Sequence, residues 1–228
     1  GRMGTGSGKL KKVSLNVPVT TEQLKDIEIG DIVYLNGVVY TAREGVYKRV
    51  LEGGESLPEG LAEISNANFH CSPAAARRED GHFDIGAMTG TASFRFSKWL
   101  DQWFDVSGAK IIIGKGGMTS EDYRNFFVPH GAIYLTTVGY GTGALLGRGI
   151  RGIRDVHWFD ELGIAQAMWM VEVENFGPFI ADSDLAGNSL FERETAKVNK
   201  GLAKLYEGTR APALHRFGET NDRNDEMI

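Results

Sequence analysis

The chain of 228 residues is 42% hydrophobic and 24% charged, enough length and apolar content to bury a sizeable core. Its formal net charge of -5 argues against the basic face that a duplex nucleic-acid binder carries, and no apolar run approaches the roughly 18 residues of a membrane-spanning helix. Cys71 is the single cysteine, which excludes an intrachain disulfide and an iron–sulfur site built by this chain alone, and which fits a reducing cytoplasm.

Residues 1 to 13 contain GTGSG and no apolar h-region, so they read as a flexible arm or an expression remnant rather than a secretory signal. Thr20-Thr21-Glu22-Gln23 has the capping-box pattern and opens a short helix. Gly30 and Asp31 turn the chain into DIVYLNGVVYTA, which reads as two β-rich runs joined at Asn36-Gly37, a strong hairpin signal. Thr41-Ala42-Arg43-Glu44 repeats the capping pattern, followed by Val46, Val50 and Leu51 at helical spacing. GGESLPEG is a loop, and residues 61 to 84 read as irregular, with Pro73 and the charged RRED cluster. Thr91 or Ser93 would cap an amphipathic helix through Phe96, Trp99, Leu100, Trp103 and Phe104. A buried strand is expected over residues 110 to 114, a helix over 119 to 127 and a second buried strand over 132 to 138. A glycine-rich turn over 139 to 147 leads into a small-residue helix. A strand follows from Met168 to Glu174 with Trp169, Val171 and Val173 on one face, and Ser189 caps a last helix ending near Leu205. Residues 208 to 228 read as a polar tail. The alternation implies a single α/β domain with a mixed sheet over residues 14 to 207.

Three cations sit at loop–element junctions. With Thr41 as cap, Arg43 falls in the first helical turn, where it opposes the helix dipole; it is either a solvated arginine paired with Glu44 or Glu22, or a cation beside free N–H groups that attracts an anion. Arg95 lies between Phe94 and Phe96, four residues after Thr91; it either lies over Phe94 or Trp99 as a cation–π pair or grips a carboxylate through two N–H groups. Lys115 ends the isoleucine strand between glycines that allow close approach to the backbone, and is otherwise a turn lysine in water. Gly141-Thr142-Gly143 with Gly147 has the wrong spacing for a dinucleotide loop and reads as close helix packing. The five histidines show no metal-ligand spacing, and no Ser-His-Asp order stands out.

In order along the chain, GDIVYLNGVVYTARE, GESLP, IGAMTGTASFR, IIIGKGG, HGAIYLTTVG and VEVENFGPFIADSDLAGNSLFE resemble the β subunit, or C-terminal domain, of the iron–sulfur class I fumarases and L-tartrate dehydratases over residues 14 to 195. The resemblance implies a swivelling β/β/α three-layer domain. It also implies a partner α subunit holding a 4Fe-4S cluster on three cysteines with one iron open to substrate. The implied reaction is reversible removal of water from a hydroxy-dicarboxylate of the fumarate/malate or tartrate type. The family's T-A-R-D/E arginine falls on Arg43, and its G-P-T-T-x-G-R stretch falls on Thr89 to Arg95. That alignment places a catalytic threonine at Thr91 and a substrate arginine at Arg95, with Ser93 among the substrate-binding positions; the K-G lysine, also catalytic, falls on Lys115. Departures cluster in one loop: Thr89, Gly90, Ala92 and Phe94 replace glycine, proline, threonine and glycine, and Tyr47 replaces a histidine. A cytoplasmic enzyme follows, acting on a small dicarboxylate with an α subunit, in a possible homo-oligomer of the pair, without nucleic acid or membrane. A non-catalytic anion-binding module of the same fold, and a nucleotide-binding α/β domain using residues 139 to 147, remain as alternatives.

Overall fold

A computed structural model describes residues 10–139, 142–205 and 207. The chain divides into two compact units, residues 1–192 and 193–228. The first unit carries the sheets and every buried side chain among the described residues. Helix α8 (Leu190–Leu205) starts at the end of the first unit, where the hydroxyl of its capping residue Ser189 accepts the Glu192 N–H at 3.2 Å, and its residues from Arg193 onward belong to the second.

The main sheet has seven strands in the order β1 (Lys12–Val17), β2 (Ile32–Thr41), β3 (Ala67–Phe69), β6 (Ile111–Gly114), β7 (Ile133–Thr137), β9 (Met168–Ala181), β8 (Ile150–His157). The β1–β2–β3–β6–β7 run is parallel, and β9 is antiparallel to each of its partners, β2, β7 and β8. At Phe179 and Ile180, β9 pairs with β7 on one edge and β2 on the other. The strands β2, β3, β6, β7 and β9 therefore close into a ring, which removes the open edges of that part of the sheet.

Alternation along these strands sends two sets of side chains to two cores. Val33, Leu35, Val39, Phe69, Ile111, Ile113, Leu135, Val171 and Phe179 share one cluster, on which Ala75, Phe83 and Ile85 of the two-stranded sheet β4 (Cys71–Arg77)–β5 (Phe83–Gly90) pack. Val38, Tyr40, Ile112, Tyr134 and Met170 face the other cluster, among helices. That cluster includes side chains of α2 (Glu44–Tyr47) with its π-helical extension Lys48–Glu52, α3 (Leu61–Ile64), α4 (Ser97–Ser107) and the π-helical turn Tyr123–Phe127 after α5 (Ser120–Asp122). Small sheet, mixed main sheet and helices form the β/β/α layering expected. Among the described residues no helix is long and apolar enough to cross a membrane.

Most expected elements are present. Helix α1 (Thr21–Leu24) has both bonds of its capping box on Thr20 and Gln23. Trp99, Leu100, Trp103 and Phe104 form the buried stripe of α4. Helix α6 (Thr142–Gly147) packs closely: a Cβ on Gly143 would lie 3.0 Å from Thr89 Oγ1. Residues 140, 141 and 208 to 228, and with them part of the glycine turn and the polar tail, lie outside the described residues.

Four expectations are corrected. Asn36-Gly37 is not a turn: β2 runs unbroken through it, parallel to β1 on one side, with register shifts against β9 on the other. Gly37 has φ +116°, and a Cβ there would collide with the Val17 carbonyl, while Asn36 Oδ1 accepts the Asn175 N–H at 2.9 Å. The pair serves a bulge between two strand partners, not a chain reversal. Thr41 is not a helix cap. It ends β2, donates its hydroxyl to Ala167 O at 3.2 Å and accepts the Trp169 N–H at 3.0 Å; Arg43 holds the N-cap position of α2 with no side-chain cap bond. Residues 61 to 84 are not irregular. They hold α3, β3, β4 and the start of β5, written in Ala, Ser, Pro and Gly that carry little strand signal. Thr91 precedes the helical region, which opens as a 3-10 turn at Phe94–Phe96, so Thr91 and Arg95 do not share a helix face. Strand β8 and helix α7 (Phe159–Leu162) complete the chain order.

Candidate active site

The carboxyl ends of parallel strands β3 and β6 receive the segment leaving β5. His70 N–H donates to Ile113 O at 2.7 Å, Thr91 N–H to His70 O at 2.7 Å, and Lys115 N–H to Thr91 O at 3.0 Å. Ala92 and Lys115 form an isolated parallel bridge. Backbone hydrogen bonds thus bring Thr91 and Lys115 together at the carboxyl ends of parallel strands, the end at which both open and closed α/β sheets place ligands. Beyond Lys115, Gly116 and Gly117 have φ +82° and +79°, a left-handed pair that only glycine adopts without strain. Gly114 is bare for a different reason: a Cβ there would collide with Ser93 Oγ and the Tyr134 hydroxyl.

Arg43 stands at the start of α2, half-buried. Its Nη1 donates to Ala165 O at 3.2 Å, while its Nε is buried without a hydrogen-bond partner among the described residues. Burial first, then the positive charge of Arg95, pushes its guanidinium pKa below the ordinary value. The nearest acid in sequence, Glu44, is taken by Lys48 at 2.9 Å. Arg95 is exposed, with its guanidinium carbon 4.9 Å from the Phe96 ring centroid. The cation–π partner is therefore Phe96 rather than Phe94 or Trp99. Phe94 is 68% exposed and turned to solvent. Two guanidinium groups that oppose each other's charge, one with an unmet donor, form a place where an anion lowers the energy.

Ser93 points the other way. It is fully buried, its hydroxyl 2.6 Å from His70 Nδ1 and 2.8 Å from Tyr134 Oη, so the structure places it in the interior, whereas Arg95 is exposed. His70 Nε2 lies 2.6 Å from Tyr47 Oη, which accepts Asn68 Nδ2–H at 2.7 Å; Asn68 Oδ1 accepts the Ala42 N–H at 2.9 Å. All five side chains are fully buried. Burial, then Arg43 and Arg95, push the His70 imidazole down to about 3, so it is neutral. Sequence spacing does not single out Asn68, His70, Tyr47 or Tyr134. The available signal was two polar residues, Asn68 and His70, in the otherwise apolar run ANFHC.

The donor set does not fit an iron–sulfur cluster on this chain. Cys71 is the single cysteine, is fully buried, and has its thiol pKa pushed up by burial. Among the described residues no group of three or more His, Cys, Asp or Glu side chains could hold a metal ion.

The family model described as "Fumarase C-terminus" matches residues 3–194. A Methanocaldococcus jannaschii protein named "Putative L(+)-tartrate dehydratase subunit beta" is 34% identical over 190 residues, 82% of this chain and 95% of that protein. The Escherichia coli protein "L(+)-tartrate dehydratase subunit beta" is 31% identical over 213 residues, 92% of this chain and 97% of its own length. The Geobacillus stearothermophilus protein "Putative fumarate hydratase class I" is 29% identical over 180 residues, which cover 79% of this chain and 34% of that longer protein.

Proposed function

Because this chain belongs to the fumarase C-terminus family, with relatives named as tartrate dehydratase β subunits and a fumarate hydratase class I, we propose that it is the β subunit of an iron–sulfur hydro-lyase that reversibly dehydrates a hydroxy-dicarboxylate. The observation that carries this reading is the convergence of Arg43, just past the end of β2, and of the segment carrying Thr91 and Arg95 with Lys115 at the carboxyl ends of the parallel strands β2, β3 and β6. A substrate carboxylate bound there relieves the repulsion between the two guanidinium groups.

Loss of a proton from the carbon next to a carboxylate builds negative charge on that carboxylate. Arg43 and Arg95 stabilise it because they are in place before the reaction begins. Lys115, beside a backbone left open at Gly116, adds a third positive charge and orients the second carboxylate. Thr91 presents a hydroxyl at the same rim. A neutral hydroxyl is a poor base, so it relays the proton to a group of the partner. The cluster belongs to the α subunit that the name "subunit beta" of the relatives implies.

The test is anaerobic co-expression with the cognate α subunit and an absorbance assay of the unsaturated product from malate, tartrate and related acids. Arg95→Ala is expected to lower kcat/KM by about 10²–10³-fold, the usual cost of one preorganised charge-stabilising donor. Full activity in that variant overturns the site. Carboxylate binding without turnover in the wild-type complex would instead support an anion-binding module.

A further inference from the structure

The hydrogen bonds around His70 have a direction that can be worked out from one end. The Ala42 backbone N–H can only donate, and it donates to Asn68 Oδ1 at 2.9 Å. That orients the amide, so Asn68 Nδ2 donates to Tyr47 Oη at 2.7 Å. Tyr47 Oη, having accepted there, turns its own hydrogen to its other neighbour, His70 Nε2, at 2.6 Å. In a neutral ring an accepting Nε2 leaves the hydrogen on Nδ1, which donates to Ser93 Oγ at 2.6 Å. Ser93 Oγ then has its hydrogen for Tyr134 Oη at 2.8 Å.

The stations of this chain flank the candidate site residues. Ala42 immediately precedes Arg43, and Ser93 lies between Thr91 and Arg95. Gly114, immediately before Lys115, is packed on Ser93 Oγ and the Tyr134 hydroxyl with no room for a Cβ. We propose that His70, as its neutral Nδ1–H tautomer, is the positioning residue of the site, the middle link of a one-directional hydrogen-bond chain that fixes the backbones carrying Arg43, Thr91, Arg95 and Lys115 relative to one another. The proposal rests on the reading of those four residues as the substrate site; the tautomer itself does not. A fully satisfied buried polar chain has one low-energy arrangement, whereas apolar packing at the same place tolerates several. Neutrality matters too, because a third cation behind Arg43 and Arg95 would add to their repulsion.

The first experiment is histidine side-chain 15N NMR on the whole chain, with His70 assigned by its absence from His70→Gln. The expected spectrum has a protonated Nδ1 and a bare Nε2, unchanged between pH 8 and pH 5. An Nε2–H tautomer, or titration near the ordinary histidine value, overturns the proposal. Tyr47→Phe keeps the ring but removes the donor to Nε2, and is expected to shift the tautomer balance. In the active complex, Tyr47→Phe and Ser93→Ala should each lower kcat/KM by about 10²-fold, the scale of a small misplacement of reacting groups. The double variant should lose little more than either single one. Unchanged kinetics in both single variants overturns the positioning role. Amide hydrogen exchange at Thr91 and Lys115 reads the same role without turnover. Faster exchange is expected in both variants, and unaltered protection overturns the proposal even where the complex proves inactive and the functional reading has failed.

Discussion

Arg95 shows why a residue can be conspicuous in a sequence and still ambiguous. Phe94 and Phe96 flank it, and nothing in their order tells which ring it uses or whether it uses either. The structure divides the two: Phe96 is fully buried beneath the guanidinium, and Phe94 faces solvent. The positive charge of Arg95 also lowers the pKa of Arg43, an influence that no local pattern could supply because it joins segments about fifty residues apart. His70 was illegible for a similar reason, since its partners come from α2, the loop after β5 and, through Ser93, β7. Its depressed pKa makes a prediction on stability. The unfolded chain binds a proton on this ring below about 6.5 and the folded chain only below about 3, so folding becomes less favourable as pH falls through that window. Between pH 7.5 and pH 5 the loss from this group is about 2 kcal/mol. Asp182, whose carboxyl is raised by burial, works in the opposite direction. Urea denaturation at the two pH values, compared between wild type and His70→Gln, isolates the difference: the wild type should lose more stability on acidification than the variant.

At the scale of elements, two stretches that look alike in sequence do different work. Thr20 to Gln23 caps a helix, whereas Thr41 to Glu44 ties the end of β2 to the start of β9. The difference lies in what arrives from far along the chain: Ala167 and Trp169 offer Thr41 a carbonyl and an N–H, and a fully satisfied hydroxyl does not turn to cap α2. Thr20→Ala is therefore expected to cost about 1 kcal/mol, an ordinary cap loss. Thr41→Ala leaves two buried backbone groups unpaired and should cost about 1–3 kcal/mol, with most of it restored by Thr41→Ser. Equal effects of the two alanine variants on thermal unfolding, or no rescue by serine, would contradict these assignments. The strands rich in isoleucine and valine could be read directly because their apolar runs have few other uses. The β4–β5 hairpin could not, because CSPAAAR and FDIGAMTG gain their strand character from pairing with each other.

For the molecule as a whole, every buried side chain among the described residues lies at or before Ser189, and α8 has none. A chain ending at Glu192 is expected to keep a cooperative thermal transition within about 2–4 °C of the full chain, as circular dichroism melts would show. A chain ending at residue 166 lacks β9 and should show no such transition. The ring of strands explains this contrast and sets the order of events during synthesis. Ile32 pairs with Ile180, so β2 leaves the ribosome long before the strand that seals it to β7 has been translated. Until Ala181 has emerged, the apolar interior of the ring stays open to water and to chaperones, and the fold cannot be completed from the amino end one strand at a time.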